Sequence, residues 1–362
     1  MKRTSIGIGL VSYGYMGKVH SLCYKELPFY YDIQAPVKLV GIATPSESSR
    51  ERALREAQFE FATACPEDLL VRPDIDVIDI CSPTYLHEQY IVMAAKAGKA
   101  IYTEKPLGHT LDSARRTYTA VSDSGVHTGM AFEYRFVPAL LEANNLLKLG
   151  TIGSVINFRV VYQGPEHLSI NKLTWQLDKE KAGGGVLFAL GSHTIDLIRF
   201  LIGEFNSVSA IGKNLAVKGD VEQLVMIQAR MQSGAVGSIE VSQVAAGSTI
   251  DMRVEIYGTK GTICFDNRYP NILRLCEMTK KPVGFQEIQT MQRLPDTIFP
   301  PIRVDVNWLR YHLAAQYQFI KGLDGEIELV APTIYDGLKC QEVIEAVLCS
   351  LDNGIWINLA EI

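Results

Sequence analysis

Gly14 and Gly17 stand three residues apart, just after the apolar run Ser5 to Val11. In Ser12-Tyr13-Gly14-Tyr15-Met16-Gly17-Lys18-Val19-His20 they fit the second and third glycines of a GxGxxG turn. The second lets backbone approach a pyrophosphate, and the third lets the following helix pack on its strand. A helix N-terminus behind the turn favours phosphate charge. Ser12 takes the place of the first glycine, so Ser12, Tyr13, Gly14, Tyr15 and Met16 are the expected dinucleotide contacts. After the next apolar run, Val37 to Ala43, an acid would hold the ribose 2′-hydroxyl of NAD. Here Thr44-Pro45-Ser46 follows, with Arg50 beyond. Nothing in Thr44 repels a 2′-phosphate, so either NAD or NADP fits, with NADP favoured. A further reactive group is Lys105, beside Pro106 at the carboxyl end of the short apolar run Ala100 to Thr103. A lysine there points into the crevice where ligands of parallel sheets bind.

These residues need a scaffold. Strand-like and helix-like segments alternate through the first third of the chain. Helices are expected at about Tyr15 to Leu27 (stopped near Pro28), Arg50 to Gln58 and Leu86 to Ala97, and a further buried strand at Val77 to Cys81. Runs apolar on both faces, taking turns with helices, predict a parallel sheet covered by helices. After about Gly129 the period changes. Val155 to Tyr162 alternates with period two. Gln223 to Met231 and Ala235 to Val244 flank Ser233-Gly234, and Arg253 to Tyr257 and Thr262 to Phe265 flank Gly258 to Gly261. These spacings predict hairpins of an antiparallel sheet, with a late helix from Thr333 to Leu351. The fold class is therefore α/β: a Rossmann-type domain over residues 1–130, then an α+β domain over 131–362 on a large, mainly antiparallel open sheet.

Composition narrows the function. The net charge of -5 gives no reason to expect nucleic acid or an anionic membrane as partner. No run is read as a membrane helix, and Met1-Lys2-Arg3-Thr4 lacks the apolar segment of a signal peptide. The 7 cysteines form no CxxC pair, which fits free thiols in a reducing, cytoplasmic compartment. The 7 histidines show no metal spacing, so no metal site is expected.

The strand end Ser82-Pro83-Thr84-Tyr85-Leu86-His87 and the segment Glu104-Lys105-Pro106-Leu107-Gly108 resemble the glucose–fructose oxidoreductase / inositol dehydrogenase (Gfo/Idh/MocA) family. Further likeness lies in Phe132 to Phe136, Gly183-Gly184-Gly185, Gly191 to Leu197 (GSHTIDL), Gly258 to Gly261 and Asp336 to Ala346. The resemblance spans nearly the whole chain. It implies an NAD(P)-dependent oxidoreductase moving a hydride between nicotinamide and a secondary hydroxyl or ketone of a sugar, cyclic polyol or glycoside. Lys105 would stabilise the alkoxide, and His193 would exchange the proton. Ser82, Pro83, Thr84, His87 and Glu104 would line the cofactor, and Tyr134, Arg135 and Trp175 the substrate. The family's helix carries an acid four residues before the histidine, where this chain has Ala189. Asp196, three residues on, lies near the same face and could stand in for that acid, although the family usually gives it a structural role, and Glu133 stands where Asn is common. Ala189 keeps open a second reading, a cofactor-binding regulatory protein without catalysis. A third is a glycosidase that uses NAD for transient oxidation. The exposed face of the second sheet is the family's usual contact for a homodimer or homotetramer.

Overall fold

The computed structural model describes residues 4–170, 172–215, 219–291, 294, 296–298, 306–325 and 331–362. Met1 to Arg3, part of the N-terminal segment read above, lie outside them. The first sheet has six strands: β1 (Ile6–Val11), β2 (Val37–Ala43), β3 (Phe61–Thr63), β4 (Val77–Ile80), β5 (Ala100–Thr103) and β6 (Thr128–Met130), in the order β3-β2-β1-β4-β5-β6. All neighbours are parallel. Every residue of β1 and β4 is buried, because helices cover both faces: α1 (Tyr15–Tyr30), α2 (Glu47–Glu56), α3 (Glu67–Leu70), α4 (His87–Lys96) and α5 (Leu111–Ser124). The strand order reverses between β1 and β4, and the carboxyl ends of those strands open the ligand crevice of such sheets. The first helix runs past the expected stop, with Pro28 inside it. Pro28 forfeits only the bond to Tyr24, and the turn closes through Tyr31 N donating to Leu27 O at 2.9 Å.

Helix α6 (Pro138–Lys148) leads into a nine-stranded sheet. Its strands are β7 (Val155–Gln163), β8 (Phe205–Lys213), β9 (Leu224–Met231), β10 (Val236–Ser242), β11 (Asp251–Gly258), β12 (Gly261–Asp266), β13 (Ile272–Glu277), β14 (Phe285–Gln289) and β15 (Ile357–Asn358). The order is β14-β13-β12-β11-β7-β10-β9-β8-β15. Both expected hairpins form, β9–β10 and β11–β12. The sheet is mixed, since β7 and β10 pair in parallel. That pairing joins distant segments, so no local turn signals it. Val225, Ile227, Ala229 and Met231 alternate inward along β9, while Met226, Gln228 and Arg230 face out.

The inner face is covered by α6, by α8 (Ser192–Ile202), which continues from the π-helical turn Leu187–Gly191, and by α10 (Ile334–Asn353). Short α7 (Lys179–Ala182) lies between α6 and α8 in the chain. The segment Lys179–Ile202 is long and apolar enough to cross a membrane by composition, a possibility missed in the sequence reading, yet 78% of its apolar window is buried inside the fold. Helix α9 (Trp308–Gly322) returns to the first sheet. It packs on α1, with Tyr317 stacked on Tyr31 at 3.9 Å and Phe319 against Tyr102.

Candidate active site

A cavity of about 1110 Å³ opens at the carboxyl ends of β1, β4 and β5. Its floor is the glycine turn. Ser12 adopts φ 79, the left-handed conformation that glycine takes without cost, so this serine performs the tight turn of the missing first glycine. A Cβ on Gly17 would meet Ser12 O at 2.3 Å, which explains why helix and strand need glycine there. A Cβ on Gly14 would meet no protein atom within 4 Å, and Gly14 lines the cavity. Helix α1 begins there with no side-chain cap and no acid in its first turn, so its free N–H groups suit a pyrophosphate. Gly14→Ala should therefore fold with unchanged stability yet bind dinucleotide at least about tenfold more weakly; fluorescence titration alongside thermal melting checks both.

Of the residues expected to hold the dinucleotide, Ser12, Gly14, Tyr15, Met16, Ser82, Pro83, Thr84, Glu104 and Lys105 line the cavity. Tyr13 and Thr44 do not: Tyr13 is buried edge-on against Phe59, and Thr44 is buried at the end of β2. His87 is also withdrawn. Its Nδ1 lies 2.8 Å from Pro106 O and its Nε2 2.9 Å from Ser82 O, so it ties the loops after β4 and β5 together.

Beneath Lys105 lies a buried polar network. His20 places Nδ1 3.0 Å from Asp79 and Nε2 3.2 Å from Glu104. Burial opposes charge on this ring, yet Asp79 lifts its pKa well above the usual value. Glu104 in turn accepts from Lys105 N at 3.0 Å. The histidine of the glycine turn and the glutamate beside Lys105 are thus one device, locking α1 to the end of β5. His20, Glu104 and His312 place ligand atoms close enough to consider a cation, as do His20, Asp79 and Cys81, which the scattered sequence spacing did not suggest. The contacts present already satisfy His20.

Lys105 Nζ donates to Ala189 O at 2.7 Å, leaving two N–H groups for a substrate oxygen. Burial lowers its pKa, while Glu104 and Glu133 hold it up. His193 is buried on the same cavity, edge-on to Tyr134 at 5.1 Å. Burial and then the Lys105 charge push its pKa well below the usual imidazole value, so the ring is a neutral base. Tyr134 lines the cavity and shares a hydrogen bond with Tyr162 at 2.9 Å. Trp175 lines it too, half-buried and edge-on to Tyr85. Arg135 does not face it. This guanidinium is buried, with Nε donating to Asp196 at 2.8 Å and Nη2 to Asp336 at 2.8 Å, so it and Asp196 hold the fold together.

The sequence reading missed the far wall. Trp308 and His312 sit four residues apart on one face of α9, their rings 4.4 Å apart, and both line the cavity. Trp308 stacks on Tyr15 at 6.0 Å. The spacing Trp308-Leu-Arg-Tyr-His312 was the available signal, but it is equally that of a core helix. Glu133 was noticed only as a departure; it lies buried between Trp308 and His193.

The family described as "Oxidoreductase family, NAD-binding Rossmann fold" matches residues 6–132, and the "GFO/IDH/MocA C-terminal domain" matches 140–264. Levoglucosan dehydrogenase of Pseudarthrobacter phenanthrenivorans is 30% identical over 99% of both chains. The chain belongs to the Gfo/Idh/MocA oxidoreductase family. A further relative, scyllo-inositol 2-dehydrogenase (NAD(+)) of Bacillus subtilis, is 32% identical over 62% of this chain and 65% of its own. The solved structure of levoglucosan dehydrogenase in complex with NADH and levoglucosan superposes with a TM-score of 0.92 at 29% identity, covering 98% of this chain and 99% of that one. As in the family, the first sheet here is an NAD-binding Rossmann fold.

Proposed function

We propose that this chain is an NAD-dependent dehydrogenase acting on a secondary hydroxyl of a sugar, cyclic polyol or glycoside. The observation that carries the reading is the convergence of Lys105 Nζ, anchored on Ala189 O, and the neutral His193 ring on one cavity above the glycine turn. When bound, the nicotinamide supplies the hydride acceptor. Lys105 donates to the substrate oxygen and steadies the negative charge that grows there. His193 takes the hydroxyl proton, which a neutral imidazole can do. Tyr134 and Trp175 form walls against which a sugar ring packs, and the buried setting strengthens each electrostatic contact. The names of the two relatives, a levoglucosan and an inositol dehydrogenase, support this substrate class. The test is reduced-cofactor absorbance with NAD and a panel of anhydrosugars, inositols and glycosides. Bound dinucleotide without turnover on any of them, keto acceptors included, would overturn it.

NAD is inferred ahead of NADP, against the expectation from Thr44. Arg50 spends Nη1 on Thr44 O at 2.8 Å and Pro45 O at 2.9 Å, which draws its charge away from any 2′-phosphate. Tighter binding of NADH than NADPH is expected in paired fluorescence titrations; the reverse order would restore NADP.

Ile211 and Met226 are exposed cross-strand partners on the outer face of the large sheet, and Val236 is exposed on the same face. This supports a homodimer or homotetramer through that sheet. The cysteines are all unpaired, which supports a reducing, cytoplasmic setting.

A further inference from the structure

We propose that Glu133 is the positioning residue of His193: its carboxyl group, reaching across from the short helix Glu133–Phe136, shares a proton with Nδ1 and so sets the tautomer that the ring presents to substrate. The inference rests on the dehydrogenase reading above and deepens it.

Glu133 Oε2 lies 3.6 Å from His193 Nδ1, and the two side chains are 3% and 8% exposed. Neither atom has a hydrogen-bond partner among the described residues. A buried polar atom left without a partner is costly, so closing this gap by a few tenths of an ångström is favourable. Both groups are aimed at each other by their surroundings. Glu133 Oε1 accepts from Trp308 Nε1 at 3.4 Å and faces His312 Nε2 at 3.7 Å. The His193 ring is flanked by Tyr134 and Tyr162. With Nδ1 turned to Glu133, Nε2 is the nitrogen left for the cavity. The family's acid is missing at Ala189, whose carbonyl serves Lys105 instead. Glu133 brings a carboxyl group to the same ring from another element.

Lys105, Glu104, Trp308 and His312 face Glu133; Lys105 and His312 also act on His193. Burial and then the Glu104 carboxylate raise Glu133 to about 8, with Lys105 pulling the other way. Two arrangements follow. With Glu133 protonated, it donates to Nδ1, and Nε2–H faces the cavity as a donor for a ketone oxygen. With Glu133 ionised, Nδ1–H donates to the carboxylate, and the Nε2 lone pair accepts a hydroxyl proton. In that oxidation the O–H bond breaks, its proton bonds to Nε2, and its electron pair forms the second C–O bond as hydride leaves the carbon. The carboxylate then balances the imidazolium. Alcohol oxidation accordingly gains as pH rises through about 8, and ketone reduction gains below it.

The experiment is ¹⁵N NMR of histidine-labelled protein without added ligands, with pH–rate profiles in parallel, for the wild type and Glu133→Gln. The wild-type His193 signals should change from the Nε2–H to the Nδ1–H form as pH rises through about 8. They should hold one form in Glu133→Gln. That variant should lose about 10²-fold in kcat for oxidation, lose the rise with pH, and keep KM and dinucleotide affinity. Ala189→Asp in the Glu133→Gln background should recover about tenfold or more of kcat, since it returns a carboxylate one helical turn from His193. A wild-type His193 that keeps a single tautomer throughout overturns the proposal without any variant. So does a titration identical in both proteins. If the tautomer switches but no sugar or polyol is turned over, the pair stands and the dehydrogenase reading falls.

Discussion

Lys105→Met should lower kcat by about 10³-fold while leaving NADH binding nearly intact. Methionine keeps the length and much of the volume of lysine, so the cavity wall survives. What disappears is an ammonium held in place by its 2.7 Å contact with Ala189 O, with N–H bonds left for the oxygen where charge would form. Ground-state binding of a neutral hydroxyl gains little from an ammonium; a developing alkoxide gains much, so the loss should fall on kcat rather than KM. A smaller cost in stability, about 1–3 kcal/mol, follows from leaving the Ala189 carbonyl without its donor. Steady-state kinetics with a primary deuterium isotope effect check the claim. A kcat within tenfold of the wild type would show that Lys105 does not touch the reacting oxygen. The reading of the chain as a non-catalytic cofactor binder would then regain its footing.

The second large effect concerns stability. Arg135→Ala should destabilise the protein by about 3–5 kcal/mol, with kcat and KM of the folded fraction little changed. Arg135 is buried between two carboxylates, Asp196 of α8 and Asp336 of α10. Removing it leaves both acids facing each other, with Arg199 as the remaining cation nearby. Asp336 also caps α10, accepting from Thr333 N at 2.9 Å, so its disturbance spreads to the helix that covers β8. Urea unfolding measured beside activity separates the two roles. A raised KM with an unchanged unfolding midpoint would return Arg135 to the substrate-binding role that its sequence position suggested.

The contrast between these residues shows what kind of information the sequence carries. Lys105 and Gly14 were legible because each is bound to a local element: the carboxyl end of a strand, or the turn between a strand and a helix. A parallel strand followed by a helix has only one crevice end, so a residue at that end has a known destination. Arg135 lies only one residue beyond Tyr134, yet Tyr134 faces the cavity and Arg135 turns into an ion pair with residues far along the chain. Position near a motif does not fix direction on a single short helical turn, where successive side chains point to different sides. His87 and Thr44 fell short for a similar reason: each sits where the loop meets the cofactor crevice, but burial turns the side chain inward.

The alternation of apolar runs, the Gly14–Gly17 spacing and the period-two stretches after Val155 determined the two sheets, the dinucleotide cradle and Lys105, since each depends on neighbours in the chain. Tertiary structure alone decided the parallel β7–β10 pair, the return of α9 to wall the cavity with Trp308 and His312, and the meeting of Glu133 with His193. Those contacts join segments with no local geometric link. Packing and the burial of charge select them, and neither is written in the spacing of residues along the chain.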